Sequence, residues 1–173
     1  MKGYGLIHIY TGRGKGKTAI AVGLALRAYG AKKRICFIQF LKARLSSEIV
    51  GLRKLKIRAV LFKEKHPLFY KSASIQGLRK RIAQDLEKTK LILKDRRYNF
   101  IVLDEILYLL ERGWVKEEDV LDIIKKKPKQ TELILTGGSA TKKIIKLADY
   151  ASRIKNVKHP FDAGVAARRG IEF

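Results

Sequence analysis

Acidic residues are scarce in this chain: 16 Asp and Glu stand against 39 Lys and Arg among 173 residues, a formal charge of +23. Thermophilic ion-pair networks do not explain the imbalance, because they enrich Glu along with Lys. The charge attracts any polyanion, whether nucleic acid, an acidic lipid surface, ATP or an acidic protein, without choosing among them. Cysteine is nearly absent, with Cys36 alone, so a disulfide scaffold is excluded. Set in Arg-Ile-Cys-Phe-Ile, that thiol reads as a small buried hydrophobe in a reducing compartment. Long apolar runs are missing too. Ala19 to Leu26 stops at Arg27, well short of the ~20 residues that span a bilayer, and no signal-type stretch follows Lys2. A cytoplasmic protein without membrane spans is expected.

What is present is 46% hydrophobic residues over a length typical of one domain. A chain of this size buries about 70% of its unfolded surface, which excludes disorder. Short β-rich runs alternate with longer helical ones. Strands are expected at Gly5–Tyr10, Arg34–Phe40, Arg58–Phe62, Phe100–Leu103, Glu132–Thr136 and Arg153–Val157. Helices are expected at Lys17–Tyr29, apolar all round and stopped by Gly30, and at Glu48–Lys54, Ser74–Lys94, Lys116–Lys126 and Ala140–Ala148, with a polar-aromatic loop at Lys63–Ala73. Ile75, Leu78, Ile82, Leu86 and Leu93 draw one apolar stripe on the Ser74–Lys94 helix, whose other face carries Arg79, Lys80, Arg81, Lys88 and Lys90. Such alternation requires crossovers, hence an α/β fold with a mainly parallel sheet and helices on both faces.

Thr11-Gly12-Arg13-Gly14-Lys15-Gly16-Lys17-Thr18 lies between the first strand and the first helix. Glycines let successive amides turn inward, the helix N-terminus adds its positive dipole end, Lys17 supplies a point charge and the Thr18 hydroxyl can ligate magnesium. All four favour a polyphosphate. Arg13 and Lys15 add charge, and Thr11 occupies the place of the first Gly of the general phosphate-loop pattern. A second constellation, Phe100-Ile101-Val102-Leu103-Asp104-Glu105, is an apolar strand ending in two carboxylates. Beside a phosphate loop, Asp104 is placed to orient magnesium or its waters, and Glu105 to activate water, to bind a metal water or to accept a structural hydrogen bond.

Together these residues resemble the ATP:corrinoid adenosyltransferase family. The resemblance rests on Thr-Gly-Arg-Gly-Lys-Gly-Lys-Thr at 11–18, Phe-Ile-Gln-Phe-Leu-Lys at 37–42, Val-Leu-Asp-Glu-Ile at 102–106, Leu-Thr-Gly-Gly at 135–138, Lys-Leu-Ala-Asp at 146–149 and Val-Lys-His-Pro-Phe-Asp-Ala-Gly-Val at 157–165. It implies a P-loop fold and attack of a Co(I) corrinoid on the 5′ carbon of ATP, with triphosphate leaving. It further implies that Gly12, Arg13, Gly14, Lys15, Gly16, Lys17 and Thr18 bind the triphosphate, that Lys15 and Lys17 neutralise its growing charge, and that Thr18 with Asp104 or Glu105 holds Mg2+. Gln39 and Lys42 fall near the ligand crevice, and Phe69 and Tyr70 are the candidates for shaping the cobalt face. Homodimerisation and a reductant or flavoprotein supplying Co(I) are implied by the resemblance alone.

Three features depart from the family pattern. The first strand starts almost at once, without the N-terminal helical extension of some members, so closure of the corrinoid site is expected to need another loop or chain. Gly138 stands where many members carry Arg, which removes a phosphate contact, and the charge is more basic. His66 and His159 lack metal-ligand spacing, and Trp114 reads as a helix anchor. Two other readings stay open. One is a P-loop ATPase that binds nucleic acid through the basic helix face, with Glu105 as base, although the aromatic and recognition-helix signatures of nucleic-acid modules are absent. The other is a nucleotide sensor without turnover.

Overall fold

In a computed structural model, residues 4–42, 45–62 and 74–172 are described. The strands are β1 (Ile7–Thr11), β2 (Ile35–Gln39), β3 (Arg58–Leu61), β4 (Phe100–Asp104), β5 (Glu132–Thr136) and β6 (Tyr150–Arg153). All pair in parallel in the order β3-β2-β4-β5-β1-β6. The helices are α1 (Lys17–Gly30), α2 (Ser47–Lys54), α3 (Ile75–Lys94), α4 (Ile106–Glu111), α5 (Glu117–Lys126) and α6 (Lys142–Lys146). The expected α/β class with a parallel sheet is what forms.

Strand periodicity splits the core into two layers. Cys36, Ile38, Ile101 and Leu103 face a layer closed by Leu78, Ile82 and Leu86 of α3, by α4 and by Val120 and Ile123 of α5. Ile35, Phe37, Val102 and Ile134 face the other layer, under α1 and α2. The fully buried residues of α1 are Ala21, Ala25 and Ala28, and Val22 and Leu24 pack part-buried against the same layer. The apolar circumference of α1 is therefore not matched by all-round burial: Leu26 and Tyr29 are exposed. The α3 stripe is buried except Ile75, and the Ser74 hydroxyl caps the helix by accepting from the Gly77 N–H.

Two elements differ from the sequence expectation. Helix α4 follows β4 directly, started by Glu105 at φ 67°, so strand and helix share no turn residues that would announce the change. The last strand lies at Tyr150–Arg153 and not at Arg153–Val157. Its register is set by β1, with His8 opposite Tyr150 and Thr11 opposite Arg153, and it is exposed along its length, so no apolar alternation marks it. The expected Lys63–Ala73 loop, with His66, Phe69 and Tyr70, lies outside the described residues.

Candidate functional site

Strand β1 delivers the glycine loop to the carboxyl edge of the sheet. The Thr11 hydroxyl and the Gly12 N–H both donate to the Gly138 carbonyl, each at 2.6 Å, so Thr in place of the first Gly ties the loop to the end of β5. The Gly14 N–H donates to the Ile154 carbonyl (3.0 Å) and the Lys15 N–H to Asn156 Oδ1 (2.9 Å). Gly12 requires glycine twice over: its φ is 108°, and a Cβ there would meet the Ile154 carbonyl oxygen at 2.2 Å. Gly16, at φ 112°, turns the chain into α1, whose first N–H groups have no carbonyl one turn behind them. Those orphan donors and the dipole of α1 make the cradle anionic-ligand-selective. Lys17 Nζ donates to the Gly12 and Gly14 carbonyls at 2.7 and 2.8 Å, which holds the ammonium across the loop. Lys15 Nζ instead meets Glu172 Oε1 at 2.8 Å, and Arg168 grips the same carboxylate.

Strand β4, between β2 and β5, brings Asp104 beside the loop. The carboxylate is fully buried. Its Oδ1 accepts from the Thr136 hydroxyl (2.7 Å), and its Oδ2 accepts from Gln39 Nε2 (2.8 Å) and the Thr18 hydroxyl (3.2 Å). Burial raises its pKa, opposed by these donors and by Lys42. The Thr136 hydroxyl in turn accepts from the Glu105 N–H at 3.0 Å, which fixes Glu105 in its left-handed conformation. Burial first, then the Asp104 charge, pushes the Glu105 carboxyl up to about 7, against Lys17 and Lys42.

Gln39 is fully buried and its amide is committed: Nε2 also reaches Glu48 Oε1 (3.2 Å), and Oε1 accepts from the Ser46 hydroxyl (3.3 Å). Glu48 pairs with Lys42 at 3.7 Å. A polar chain thus runs from Lys42 through Glu48 and Gln39 to Asp104 and Thr18. Two cavities flank it. One, of about 530 Å3, is lined by Arg13, Phe40, Leu41, Tyr108 and Arg112; the other, of about 660 Å3, by the start of α1, Glu48 and Gly170–Glu172. Lys17, Lys42 and Glu105 line both.

The structure therefore gathers Gly12 to Thr18, Gln39, Lys42, Asp104 and Glu105 at one edge. Sequence reasoning missed Thr136, Glu48, Tyr108, Arg112 and Glu172. Leu-Thr-Gly-Gly carried a signal for Thr136; the others arrive through tertiary folding. At Gly138, a Cβ would meet the movable end of the Glu111 side chain, and Arg13, Arg112, Glu105 and Glu111 line the same cavity. His159 caps the 160–163 turn through Nδ1, accepting from the Phe161 N–H. Trp114 packs edge-on to Tyr108 against the α3–α5 core layer, as an anchor does.

A phosphate loop after β1 and a buried carboxylate at the end of β4, on either side of β5 at the carboxyl edge of a parallel sheet, define a P-loop nucleotide-binding protein. The sequence model of the ATP:corrinoid adenosyltransferase BtuR/CobO/CobP family matches residues 3–173, and the chain belongs to that family. It is similar to the corrinoid adenosyltransferase of Escherichia coli (strain K12), 32% identical over 170 residues that cover 98% of this chain and 86% of that one. The corrinoid adenosyltransferase CobA of Salmonella typhimurium (strain LT2) matches at the same identity and coverage. The corrinoid adenosyltransferase of Pseudomonas aeruginosa is 28% identical over 172 residues, 98% of this chain and 84% of that one. The chain is an enzyme that transfers the adenosyl group of ATP to the cobalt of a corrinoid, which decides among the readings left open by the sequence.

Proposed function

We propose that ATP lies across Lys17, with its triphosphate over the start of α1 and its 5′ carbon turned into the cavity of Phe40 and Tyr108. One observation carries this reading: Lys17, Lys42 and Glu105 line both cavities, so a chain of phosphates running between them passes all three. The orphan donors at the start of α1 and the Lys17 ammonium bind the triphosphate, and Lys15 exchanges Glu172 for a phosphate oxygen. The Co(I) electron pair forms the bond to C5′, the C5′–O bond breaks, and its electrons leave on the triphosphate. Lys15 and Lys17 stabilise that charge as it develops.

Thr18, Asp104 and Glu105 offer a hard oxygen donor set with few protein ligands, which fits Mg2+ shared with phosphates. Bound there, Mg2+ would supply charge neutralisation to the leaving group. Gln39 orients Asp104 through its amide and does not itself face the nucleotide. Phe69 and Tyr70 shape the cobalt face. The 173 residues act as one P-loop unit, in the cytoplasm, as a homodimer fed by a reductant or flavoprotein that supplies Co(I). Consistent with this placement, no helix among the described residues is long and apolar enough to cross a membrane.

The test is anaerobic turnover of ATP, magnesium and chemically reduced cobalamin, with the phosphate product resolved by phosphorus NMR. One triphosphate per adenosylcobalamin is expected. Release of ADP or of pyrophosphate as the primary product would overturn the reading.

A further inference from the structure

The sheet has a second edge, and the nucleotide chemistry does not use it. In the strand order β3-β2-β4-β5, four neighbouring strands receive their chains from α2, α1, α3 and α5. Parallel pairing puts those four connections side by side at the amino ends of the strands, opposite the glycine loop. Residues 32–34, 54–58, 94–97 and 125–129 hold thirteen of the 39 Lys and Arg within seventeen positions, against one acid, Asp95. Asp95 is already matched by Arg97 at 2.7 Å. Lys127 spends its ammonium on the Gly5, Pro128 and Thr131 carbonyls, and the other twelve cations are exposed.

Two ordinary causes do not account for this floor. Helix dipoles favour cations in the last turn, but the effect fades within that turn, and Lys32, Lys33, Arg34, Lys56, Arg58 and Lys129 lie beyond it. Attraction of ATP does not need it either. A five-residue strand puts about 15 Å between the two edges, beyond the Debye length of about 8 Å at physiological salt.

We infer that this floor docks the sugar–phosphate backbone of double-stranded nucleic acid, without reading its base sequence. Four loops at a strand spacing of about 4.8 Å make a band about 14 Å across. A duplex carries one charge per about 1.7 Å of axis, so about eight phosphates fall within that length. None of the large exposed hydrophobic side chains lies in these loops, so the floor lacks the apolar core of a protein interface and a side chain to insert into a bilayer. Tyr98 is half-buried, with the Arg58 guanidinium 5.9 Å from its ring centre, so it offers no free face for base stacking.

The experiment is fluorescence anisotropy of a labelled 20-base-pair duplex DNA against the whole protein over a salt series. If about five phosphates are neutralised, the slope of log affinity against log salt is about −4 to −5. Lys32→Glu with Lys33→Glu should weaken binding at least about tenfold and flatten the slope by about two. Lys80→Glu with Arg81→Glu on α3 makes the same change of charge elsewhere and should cost less than about threefold. All four side chains are exposed, so both variants should keep the parent melting temperature. Equal losses from the two pairs, a slope near zero, or tighter binding to poly-glutamate or phosphatidylglycerol vesicles at matched ionic strength would each overturn the inference.

Discussion

Replacing Glu105 by Gln should stabilise the metal-free, nucleotide-free protein, and only at the upper end of the pH range. The Glu105 carboxyl sits at about 7 in the fold against an ordinary 4.5, because it is buried beside Asp104. Below pH 4.5 it is protonated in both states and the fold pays nothing for it. Between 4.5 and 7 the unfolded chain releases the proton while the fold retains it, so stability falls as pH rises. Above 7 the penalty is complete. The displacement of about 2.5 pH units at 1.36 kcal/mol each amounts to about 3 kcal/mol. For a chain of this length that is roughly 6–12 °C of melting temperature. Gln keeps the shape and carries no charge, and Asp104 titrates in both proteins. Melting curves at pH 4.5, 6, 7 and 8 should show the Gln variant level with the parent at the acid end and gaining steadily towards pH 8. A pH-independent offset, or a parent more stable at pH 8, would refute the account of Glu105. The same variant should lose adenosyl transfer, the usual cost of relieving a charged site.

Further outcomes follow from the loop and its surroundings. Lys17→Ala should lower kcat for adenosyl transfer by on the order of 10²–10³ with the circular dichroism spectrum unchanged; a loss under tenfold would remove Lys17 from the leaving-group role. In Gly14→Ala the new Cβ would meet the Lys155 backbone at 2.7 Å, so the chain after β6 must give way. Its ATP dissociation constant should rise at least about tenfold, and an unchanged value would show that the contact with residues 154–155 does not shape the cradle. Glu172→Gln frees Lys15 and should tighten binding of inorganic triphosphate by about threefold in calorimetry, the modest gain expected of an exposed ion pair. Weaker binding would mean that Glu172 positions Lys15 and does not compete for it.

The parts of the site that were legible in the sequence are those written locally. Eight consecutive residues, 11 to 18, specify the cradle because a strand, a glycine turn and a helix N-terminus are contiguous in the chain, and Asp104 is marked by the charge that ends an apolar run. Thr136, Glu48 and Glu172 were not legible as site residues because sheet order and the returning C-terminal segment bring them in, over 32, 56 and 157 positions of chain. Gln39 was expected near the crevice from its place at the end of β2, and only the fold shows its amide engaged with Asp104, Glu48 and Ser46. Helix α4 escaped for a backbone reason: a Glu at positive φ starts it without the Gly, Asn or Pro that usually mark such a turn. The apolar girth of α1 did not show which face meets the sheet, which takes Ala21, Ala25 and Ala28 with Val22 and Leu24 part-buried beside them.

The most direct test of the central claim is a crystal structure of the complex with Mg2+ and ATP. The account predicts the triphosphate over the first turn of α1, the phosphate chain crossing Lys17, and the 5′ carbon in the cavity of Phe40 and Tyr108, open to an incoming cobalt. Adenosine lying in the other cavity, beside Glu48 and Gly170–Glu172, with the γ-phosphate pointing at Phe40 and Tyr108, would contradict it, because cobalt reaching the cavity of Phe40 and Tyr108 would then meet phosphate and not carbon.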